Sequence, residues 1–115
     1  MGALPNADKA IISETKFVEY VLHPNKSRGK AFAFQQVLGY NLSNAAKLIE
    51  NIRNNLDNFE ANFKGDNGYG LKYEVLMELE GENGRTANVL TSWIVEHKTG
   101  NTRMTSAYVK NRRRK

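Results

Sequence analysis

Six side chains in the second half of the chain are of the types that phosphodiester cleavage uses. Cleaving RNA without a metal needs a base for the 2′-hydroxyl, positive charge to stabilise the phosphorane, and an acid for the leaving oxygen. Lysine, arginine, histidine and hydroxyl side chains can share these tasks. The candidates of these types are Lys72, Arg85, Thr91, His97, Arg103 and Thr105. Lys30, in the first half of the chain, is a further cation that could reach them.

These candidates are predicted to lie on neighbouring strands, which would bring them together because consecutive strands of a meander pair. Phosphate stabilisation is assigned to Arg85 or Lys72, and proton transfer to His97. Replacing both cations by alanine is therefore expected to abolish activity while the thermal midpoint stays nearly unchanged.

Each candidate also has a purely structural interpretation. A charged residue at a strand end is usually solvated, and threonines such as Thr91 and Thr105 pair across strands. His23, before Pro24, is interpreted as local structure, and Trp93 as a core residue whose N–H has a partner. Tyr69 is of a type that could stack on a base.

An alternation of acidic residues on one predicted strand argues against a simple basic groove. Glu74, Glu78 and Glu80 would share the open face of the sheet. A hard cation needs convergent oxygens, which one strand does not supply, so no metal site is predicted. The chain has no cysteine, no phosphate-binding loop and no serine-hydrolase motif, and no cofactor is predicted.

The positive charge of the chain is concentrated at its C-terminal end. The chain has 17 Lys+Arg and 12 Asp+Glu, and five of the basic residues lie in Lys110-Asn111-Arg112-Arg113-Arg114-Lys115. Residues 1–109 therefore have twelve basic and twelve acidic residues, and the body is neutral. Residues 110–115 are predicted to be a disordered tail in which Arg112, Arg113 and Arg114 contact phosphates without sequence preference.

The apolar spacing predicts three helices in the first half of a single domain spanning residues 1–109. Ser13 is the expected N-cap of the first helix, and the second runs from about Gly29 to Leu38 with Gly39 as its C-cap. Ser43 is expected to cap a third helix to about Leu56, with Phe59 and Phe63 continuing its apolar stripe.

The apolar residues recur with a period of 3.6 before Gly70 and with a period of 2 after it, which predicts strands. They cover about Lys72–Glu80, Thr86–Glu96 and Arg103–Val109, and residues 10–12 could add a fourth. The predicted fold is α+β, with about three N-terminal helices packed on one face of a three- to four-stranded antiparallel sheet. The other face would be open to solvent or to a ligand.

The composition also bears on location. No apolar run approaches the roughly 20 residues of a membrane span, and mean hydropathy is −0.61. The N-terminus lacks the basic start and apolar stretch of a signal peptide. These features predict that the protein has no membrane partner and acts in the cytoplasm. Delivery as part of a larger secreted protein would be one route into that compartment.

Several ordered motifs resemble a bacterial family of unknown function. They are Leu4-Pro5-Asn6-Ala7-Asp8-Lys9-Ala10-Ile11-Ile12, Tyr20-Val21-Leu22-His23-Pro24, Gly29-Lys30-Ala31, Leu38-Gly39-Tyr40, Gly70-Leu71-Lys72-Tyr73, Asn83-Gly84-Arg85-Thr86-Ala87, Thr91-Ser92-Trp93-Ile94 and Met104-Thr105-Ser106-Ala107-Tyr108. Members resemble small free-standing proteins or C-terminal modules of polymorphic toxins and phage-related proteins. The layout of helices before a small sheet is similar to barnase, colicin and RelE-like ribonucleases.

The resemblance implies a toxin-type ribonuclease module, with RNA (tRNA among the candidates) as substrate and a cognate immunity protein as partner. The alternative is a non-enzymatic module that binds a protein on its open sheet face, while its tail contacts nucleic acid. A fold-level likeness carries little functional weight, so the choice between a ribonuclease and a binding module depends on the residues of the site.

Overall fold

Three helices precede the sheet in the computed structural model, which describes residues 4–23, 25 and 28–110. Helix α1 is Glu14–Lys16, continued as a π-helix over Phe17–Val21. Helix α2 is Arg28–Ala33, continued over Phe34–Leu38 in the same way. Helix α3 is Ala45–Asn55, with 3₁₀ turns at Leu42–Asn44 and Leu56–Asn58, and another 3₁₀ turn, Ala7–Lys9, precedes α1. None of the described helices has both the length and the apolar composition that a membrane span requires.

Two predicted helix ends are confirmed and one is wrong. Ser13 Oγ accepts the backbone N–H of Lys16 at 3.2 Å, which caps α1. Gly39 has φ of 76°, the left-handed conformation expected after α2. Ser43 does not start the third helical segment, because Asn41 takes that position. The Asn41 side chain accepts the Ser43 N–H at 2.9 Å and forms a capping box with Asn44.

Four antiparallel strands follow the helices in the spatial order β1-β2-β3-β4. They are β1, Ala61–Asp66; β2, Gly70–Glu80; β3, Thr86–Glu96; and β4, Thr102–Val109. The fold is α+β with the helices before the strands, as the sequence predicted.

The fourth strand is not where the sequence placed it. Residues 10–12 contribute only one parallel bridge, between Ile11 and Arg103, whereas Ala61–Asp66 form a full edge strand. Phe63 therefore lies in β1 rather than on a continued α3, and its side chain packs edge-on against Tyr73 with ring centroids 5.5 Å apart. Phe59 and Phe63 are four residues apart, a spacing that fits a helix. The edge strand β1 is mostly exposed, so its sequence has no apolar alternation that would have indicated a strand.

The core lies between the helices and the inner face of the sheet. Apolar residues of β2, β3 and β4 alternate toward it and meet buried side chains of the helices, among them Phe17, Phe34 and Leu48. Trp93 is 1% exposed, and its Nε1–H donates to Thr91 Oγ1 at 2.8 Å. This confirms Trp93 as a core residue whose N–H has a partner.

Two bulges change the register of the sheet. Thr105 is an extra residue in β4, between the pairs Ser92–Ser106 and Trp93–Met104. Lys64 is an extra residue in β1, between the pairs Phe63–Tyr73 and Gly65–Lys72. Each bulge shifts the following pairs by one position, which decides which side chains face outward.

Candidate functional site

The outer face of the sheet, away from the core, has two neighbouring cross-strand rows that carry most of its candidate polar side chains. One row runs Lys72–Ile94–Arg103 across β2, β3 and β4. The next runs Asn62–Glu74–Ser92–Ser106 across all four strands. Facing residues of paired strands lie about 4.5–5.5 Å apart at Cβ, so these side chains are within reach of one another. We call Lys72, Glu74, Ser92, Arg103, Thr105 and Ser106 the outer-face cluster.

A cleft of about 510 Å³ lies over these rows. Its walls include Lys64, Lys72, Glu74, Ser92, Thr105 and Ser106. The structure thus brings together two of the predicted catalytic residues, Lys72 and Thr105. It also adds residues that the sequence did not nominate, namely Lys64, Ser92 and Ser106, and a carboxylate that counted against the site, Glu74.

Ion pairs organise the charges around the cleft. Lys64 Nζ lies 3.9 Å from Glu74 Oε1, and both side chains remain partly exposed, at 50% and 36%. Arg103 Nε donates to Glu96 Oε2 at 3.2 Å. The Thr99 hydroxyl, and then Arg103, lower the pKa of Glu96 below its ordinary value. Lys16 Nζ donates to the Thr105 carbonyl oxygen at 3.3 Å, so a cation from α1 also lies at the bulge.

Thr91 is buried on the opposite face of the sheet from Lys72. Its hydroxyl donates to the Val75 carbonyl oxygen at 2.8 Å and accepts the Trp93 N–H. Its side chain is fully buried, and its partner on β4 is Ala107 rather than Thr105. The predicted grouping of Thr91 with Thr105 is therefore not formed, because strand alternation turns Thr91 into the core.

Arg85 lies at the other end of the sheet from Lys72. Lys72 pairs with Ile94, and Thr86, next to Arg85, pairs with Glu80. Eight residues separate Thr86 from Ile94 along β3, or about 26 Å. Arg85 Nη1 approaches the Gln36 carbonyl oxygen at 3.5 Å, and its backbone N–H donates to Asn83 Oδ1 at 3.0 Å. The predicted combination of Lys72 and Arg85 in one site is not formed.

His97 pairs with a residue that the sequence did not single out. Its Nε2 lies 3.0 Å from both carboxylate oxygens of Asp66, and its backbone N–H donates to the Tyr69 carbonyl oxygen at 2.9 Å. The Gly68 N–H, and then His97, lower the pKa of Asp66 below its ordinary value. Asp66 faces Leu71 in the register, so this pair belongs to the loop end of the sheet and not to the outer-face cluster.

The remaining predicted residues lie in three places. Lys30 Nζ lies 5.9 Å from the centroid of the Tyr108 ring, one row from Ser106, so α2 contributes a cation near the cleft. His23 Nδ1 accepts the Asn25 N–H at 3.1 Å, as expected for local structure. Arg112, Arg113 and Arg114 lie outside the described residues. Lys110 is described, and its N–H donates to the Asn88 carbonyl oxygen at 2.8 Å.

Within residues 4–23, 25 and 28–110, no three His, Asp or Glu side chains converge as ligands for a metal ion. Lys64 and Lys72 bring positive charge to the cleft wall, where hydroxyl side chains lie beside them, and Arg103 lies in the same row of the sheet as Lys72. Such a set can hold a phosphate through charge-assisted hydrogen bonds. Glu74 is the acceptor in the same group, and it is the side chain placed to take a proton.

The model of one protein family matches residues 3–111, nearly the whole chain. The chain belongs to this family, described as a domain of unknown function, DUF6883. The match agrees with the resemblance of the sequence motifs to a family of unknown function. No curated protein and no solved structure matches the chain. The family therefore carries no activity over to this chain, and a function must be inferred from the outer-face cleft.

Proposed function

We propose that this member of the DUF6883 family is a toxin-type ribonuclease module that cleaves RNA in the outer-face cleft without a metal ion. One observation carries the proposal: Lys72 and Arg103 occupy one row of the sheet, and Glu74, Ser92 and Ser106 occupy the next. Cations, hydroxyl donors and one carboxylate are the groups that this chemistry needs.

The reaction balances with these side chains alone. Glu74 accepts the proton of the 2′-hydroxyl, and the 2′-oxygen attacks the adjacent phosphorus. The bond from phosphorus to the 5′-oxygen breaks, and the Lys72 ammonium donates a proton to that leaving oxygen. Arg103, Thr105 and Ser106 stabilise the charge on the phosphorane. The products are a 2′,3′-cyclic phosphate and a free 5′-hydroxyl.

These roles revise the assignments made from the sequence. Lys72 and Thr105 keep a place in the site, and the candidate cations Arg103 and Lys30 are assigned to phosphate binding. Arg85 and Thr91 leave the site because of their positions, and Glu74 takes the proton-transfer role given to His97. Arg112, Arg113 and Arg114 remain proposed as non-specific phosphate contacts on grounds of charge alone.

The test is incubation of the purified chain with total RNA and, separately, with bulk tRNA, followed by a denaturing gel. The incubations are made in EDTA and in magnesium. We expect discrete cleavage in both, because the proposed reaction does not require magnesium. Intact RNA in both conditions, from a folded sample, would contradict the proposal and favour a protein-binding module. Cleavage only with magnesium would contradict the metal-independent chemistry.

Matched variants assign the activity to the cleft. Lys72→Ala is expected to reduce cleavage by at least about 100-fold, because it removes the charge and the proton donor. Lys47→Ala removes one positive charge from α3, where Lys47 pairs with Glu82 at 3.5 Å, and is expected to leave cleavage unchanged. Equal losses in both variants would indicate general electrostatic binding rather than a site.

The toxin context is tested by expression in a bacterial host. We expect the wild-type chain to arrest growth and the Lys72→Ala variant to be tolerated at the same protein level. An immunity protein that covers the cleft would relieve the arrest on co-expression. Equal growth with both chains, at equal levels of soluble protein, would contradict the toxin assignment without bearing on RNA cleavage in vitro.

A further inference from the structure

We propose that three lysines along β4 hold the phosphate backbone of an RNA strand as it leaves the outer-face cleft toward the C-terminal basic residues. We call Lys16, Lys30 and Lys110 the β4 cation path. The inference rests on the proposed function and extends it, because a substrate bound in this way is a strand of several nucleotides. It adds Lys16 and Lys110 to the residues that bind RNA.

Two of these lysines come from helices that contact β4. Strand β4 is the last strand of the sheet, so one of its edges is not paired with another full strand. The helix α2 and the π-helical continuation of α1 both contact it. Lys16 Nζ donates to the Thr105 carbonyl oxygen at 3.3 Å, and Lys30 Nζ lies 5.9 Å from the centroid of the Tyr108 ring. The helical layer therefore brings two cations to this strand.

Both lysines reach β4 at the cleft or next to it. Thr105 and Ser106 line the cleft. The pairs Ser92–Ser106 and Leu90–Tyr108 are two positions apart in the register, so Tyr108 lies on the same face of the sheet as Ser106. Lys30 Nζ therefore lies near the outer face, one cross-strand row beyond the row of the cleft that holds Ser106.

Lys110 continues the same line beyond the end of β4. Its N–H donates to the Asn88 carbonyl oxygen at 2.8 Å, which extends the pairing of β3 with β4 by one position. Strand alternation places Lys110 on the face of Tyr108, and Lys110 is exposed. In the sequence it is followed by Asn111-Arg112-Arg113-Arg114-Lys115. The path thus runs from the cleft to the start of the basic C-terminal segment.

No ion pair among the described residues neutralises the β4 cation path. Arg103, at the first end of β4, pairs with Glu96 and is therefore left out of the path. Glu78 shares the row of Asn88 but lies on β2, two strands away from Lys110. The charges of the three lysines are therefore free to attract a polyanion, which residues 1–109 as a whole, with no net charge, do not attract.

The spacing of the path suits an extended strand rather than one phosphate. Its anchor points at Thr105, Tyr108 and Lys110 lie three and two residues apart, or about 10 and 7 Å along the strand. These steps are comparable with the distance between successive phosphates of an extended nucleic-acid strand. A positively charged track that follows the backbone binds single strands without reading their sequence, since lysine acts as a point charge. The path therefore orients the RNA and does not select its bases.

The test is binding of a labelled single-stranded RNA of about 12 nucleotides, measured by fluorescence anisotropy in a Glu74→Gln background that prevents cleavage. Lys16→Gln, Lys30→Gln and Lys110→Gln remove one charge each, and glutamine keeps a hydrogen-bond donor at each position. Each substitution is expected to weaken binding about threefold to tenfold and to make the slope of log affinity against log salt shallower by about 0.7. Lys47→Gln is the matched control, because Lys47 lies on α3 with its side chain 65% exposed.

Salt dependence separates a phosphate contact from a loss of structure. The triple variant should lose about 2 from the slope, because each charge contacts its own phosphate. Lys47→Gln and Lys30→Arg should keep the slope of the parent chain. Slopes of the three path variants equal to that of Lys47→Gln would overturn the inference. Failure of the parent chain to bind RNA would overturn it as well, and an acidic protein would then be the better partner for these lysines.

The two proposals can fail separately. Shallower slopes in the path variants, from a wild-type chain that never cleaves RNA, would retain the β4 cation path and remove the ribonuclease. Glu74-dependent cleavage with unchanged slopes in the path variants would retain the ribonuclease and remove the β4 cation path.

Discussion

Glu74 and Glu78 are the same residue type on the same face of β2, yet their surroundings differ. Glu74 faces Ser92 and lies 3.9 Å from Lys64, whereas Glu78 faces Asn88. At the level of residues, the outer face is therefore not a uniform acidic stripe. A carboxylate beside cations and hydroxyl donors is placed for proton transfer, and an exposed carboxylate away from them is a solvated charge.

This contrast predicts different effects of the same substitution at Glu74 and at Glu78. Glu74→Gln is expected to reduce RNA cleavage by about 10²- to 10⁴-fold, the usual contribution of a general base, with little change in the thermal midpoint. Glu78→Gln makes the same chemical change on the same strand and should cleave RNA as the wild type does. Rates are compared under single-turnover conditions in EDTA. Similar activity of the two variants would remove Glu74 from the mechanism.

For Thr91 we expect a substitution to lower the free energy of unfolding without reducing RNA cleavage. Thr91→Val keeps the shape of the side chain but leaves the buried Trp93 N–H without its acceptor at 2.8 Å. We expect the free energy of unfolding to fall by about 1–3 kcal/mol, measured by urea denaturation. Cleavage at a temperature well below the transition should persist, and loss of cleavage in a folded Thr91→Val sample would return Thr91 to the site.

Tyr40 makes stability depend on alkaline pH. It is 2% exposed, its hydroxyl donates to the Glu80 carbonyl oxygen at 3.3 Å, and Asn51 Nδ2 donates to that hydroxyl at 2.9 Å. Burial is the main cause that raises the pKa of Tyr40 above 10.0. Above that pH the folded chain keeps a proton that the unfolded chain has lost, so the stabilisation is complete below pH 10.0 and decreases as pH rises.

We therefore expect the stability difference between wild type and Tyr40→Phe to shrink as pH rises above about 10. At neutral pH the variant should lose about 1 kcal/mol, because Asn51 still donates directly to Glu80 at 2.8 Å. Denaturation of both chains at pH 7, 9 and 11 measures the difference. A difference that grows with pH would contradict the burial of a neutral phenol.

At the level of elements, the hairpin between β2 and β3 is docked on the end of α2. The Glu82 N–H donates to the Leu38 carbonyl oxygen at 2.8 Å, and the Gly81 N–H donates to the Arg85 carbonyl oxygen at 2.7 Å. A Cβ at Gly81 would lie 2.1 Å from the Leu38 carbonyl oxygen. The sheet and the helical layer therefore meet at a contact that has no room for a side chain.

Gly81→Ala is accordingly expected to cost about 1–3 kcal/mol and to lower the thermal midpoint by at least about 5 °C. Gly29→Ala is the control, since Gly29 lies in α2 with no atom within 4 Å of a new Cβ, and alanine favours a helix. Scanning calorimetry measures both midpoints. An unchanged midpoint for Gly81→Ala would show that the hairpin is not held against α2.

The sequence predicted the elements whose signals are local. The alternation in Thr86–Glu96 gave β3 its observed bounds, because the strand buries one face and follows an Asn-Gly turn. The apolar pattern did not predict β1, since Ala61–Asp66 is an edge strand with mostly exposed side chains. The bulge at Thr105 was also invisible, yet it turns Met104 inward beside Trp93 and brings Arg103 beside Ile94. The grouping in the cleft depends on this register shift, so strand order alone could not yield it.

At the level of the whole molecule, the two faces of the sheet have separate tasks. The helices and the inner face bury the apolar residues, including Trp93 and Leu48. The outer face keeps its cations, hydroxyls and carboxylates accessible. Since residues 1–109 have no net charge, a local cluster rather than a general positive field must hold an RNA phosphate. Stability and the proposed chemistry can therefore be changed independently.

Metal-independent cleavage through the 2′-oxygen is best tested by comparing an RNA oligonucleotide that the chain cleaves with its all-2′-deoxy counterpart, both in EDTA. The 2′-oxygen is the proposed nucleophile, so only the RNA should be cleaved, leaving a 2′,3′-cyclic phosphate and a 5′-hydroxyl. The Glu74→Gln variant should leave both strands intact. Cleavage of the deoxy strand, a requirement for magnesium, or full activity of Glu74→Gln would contradict a metal-independent ribonuclease site on the outer face.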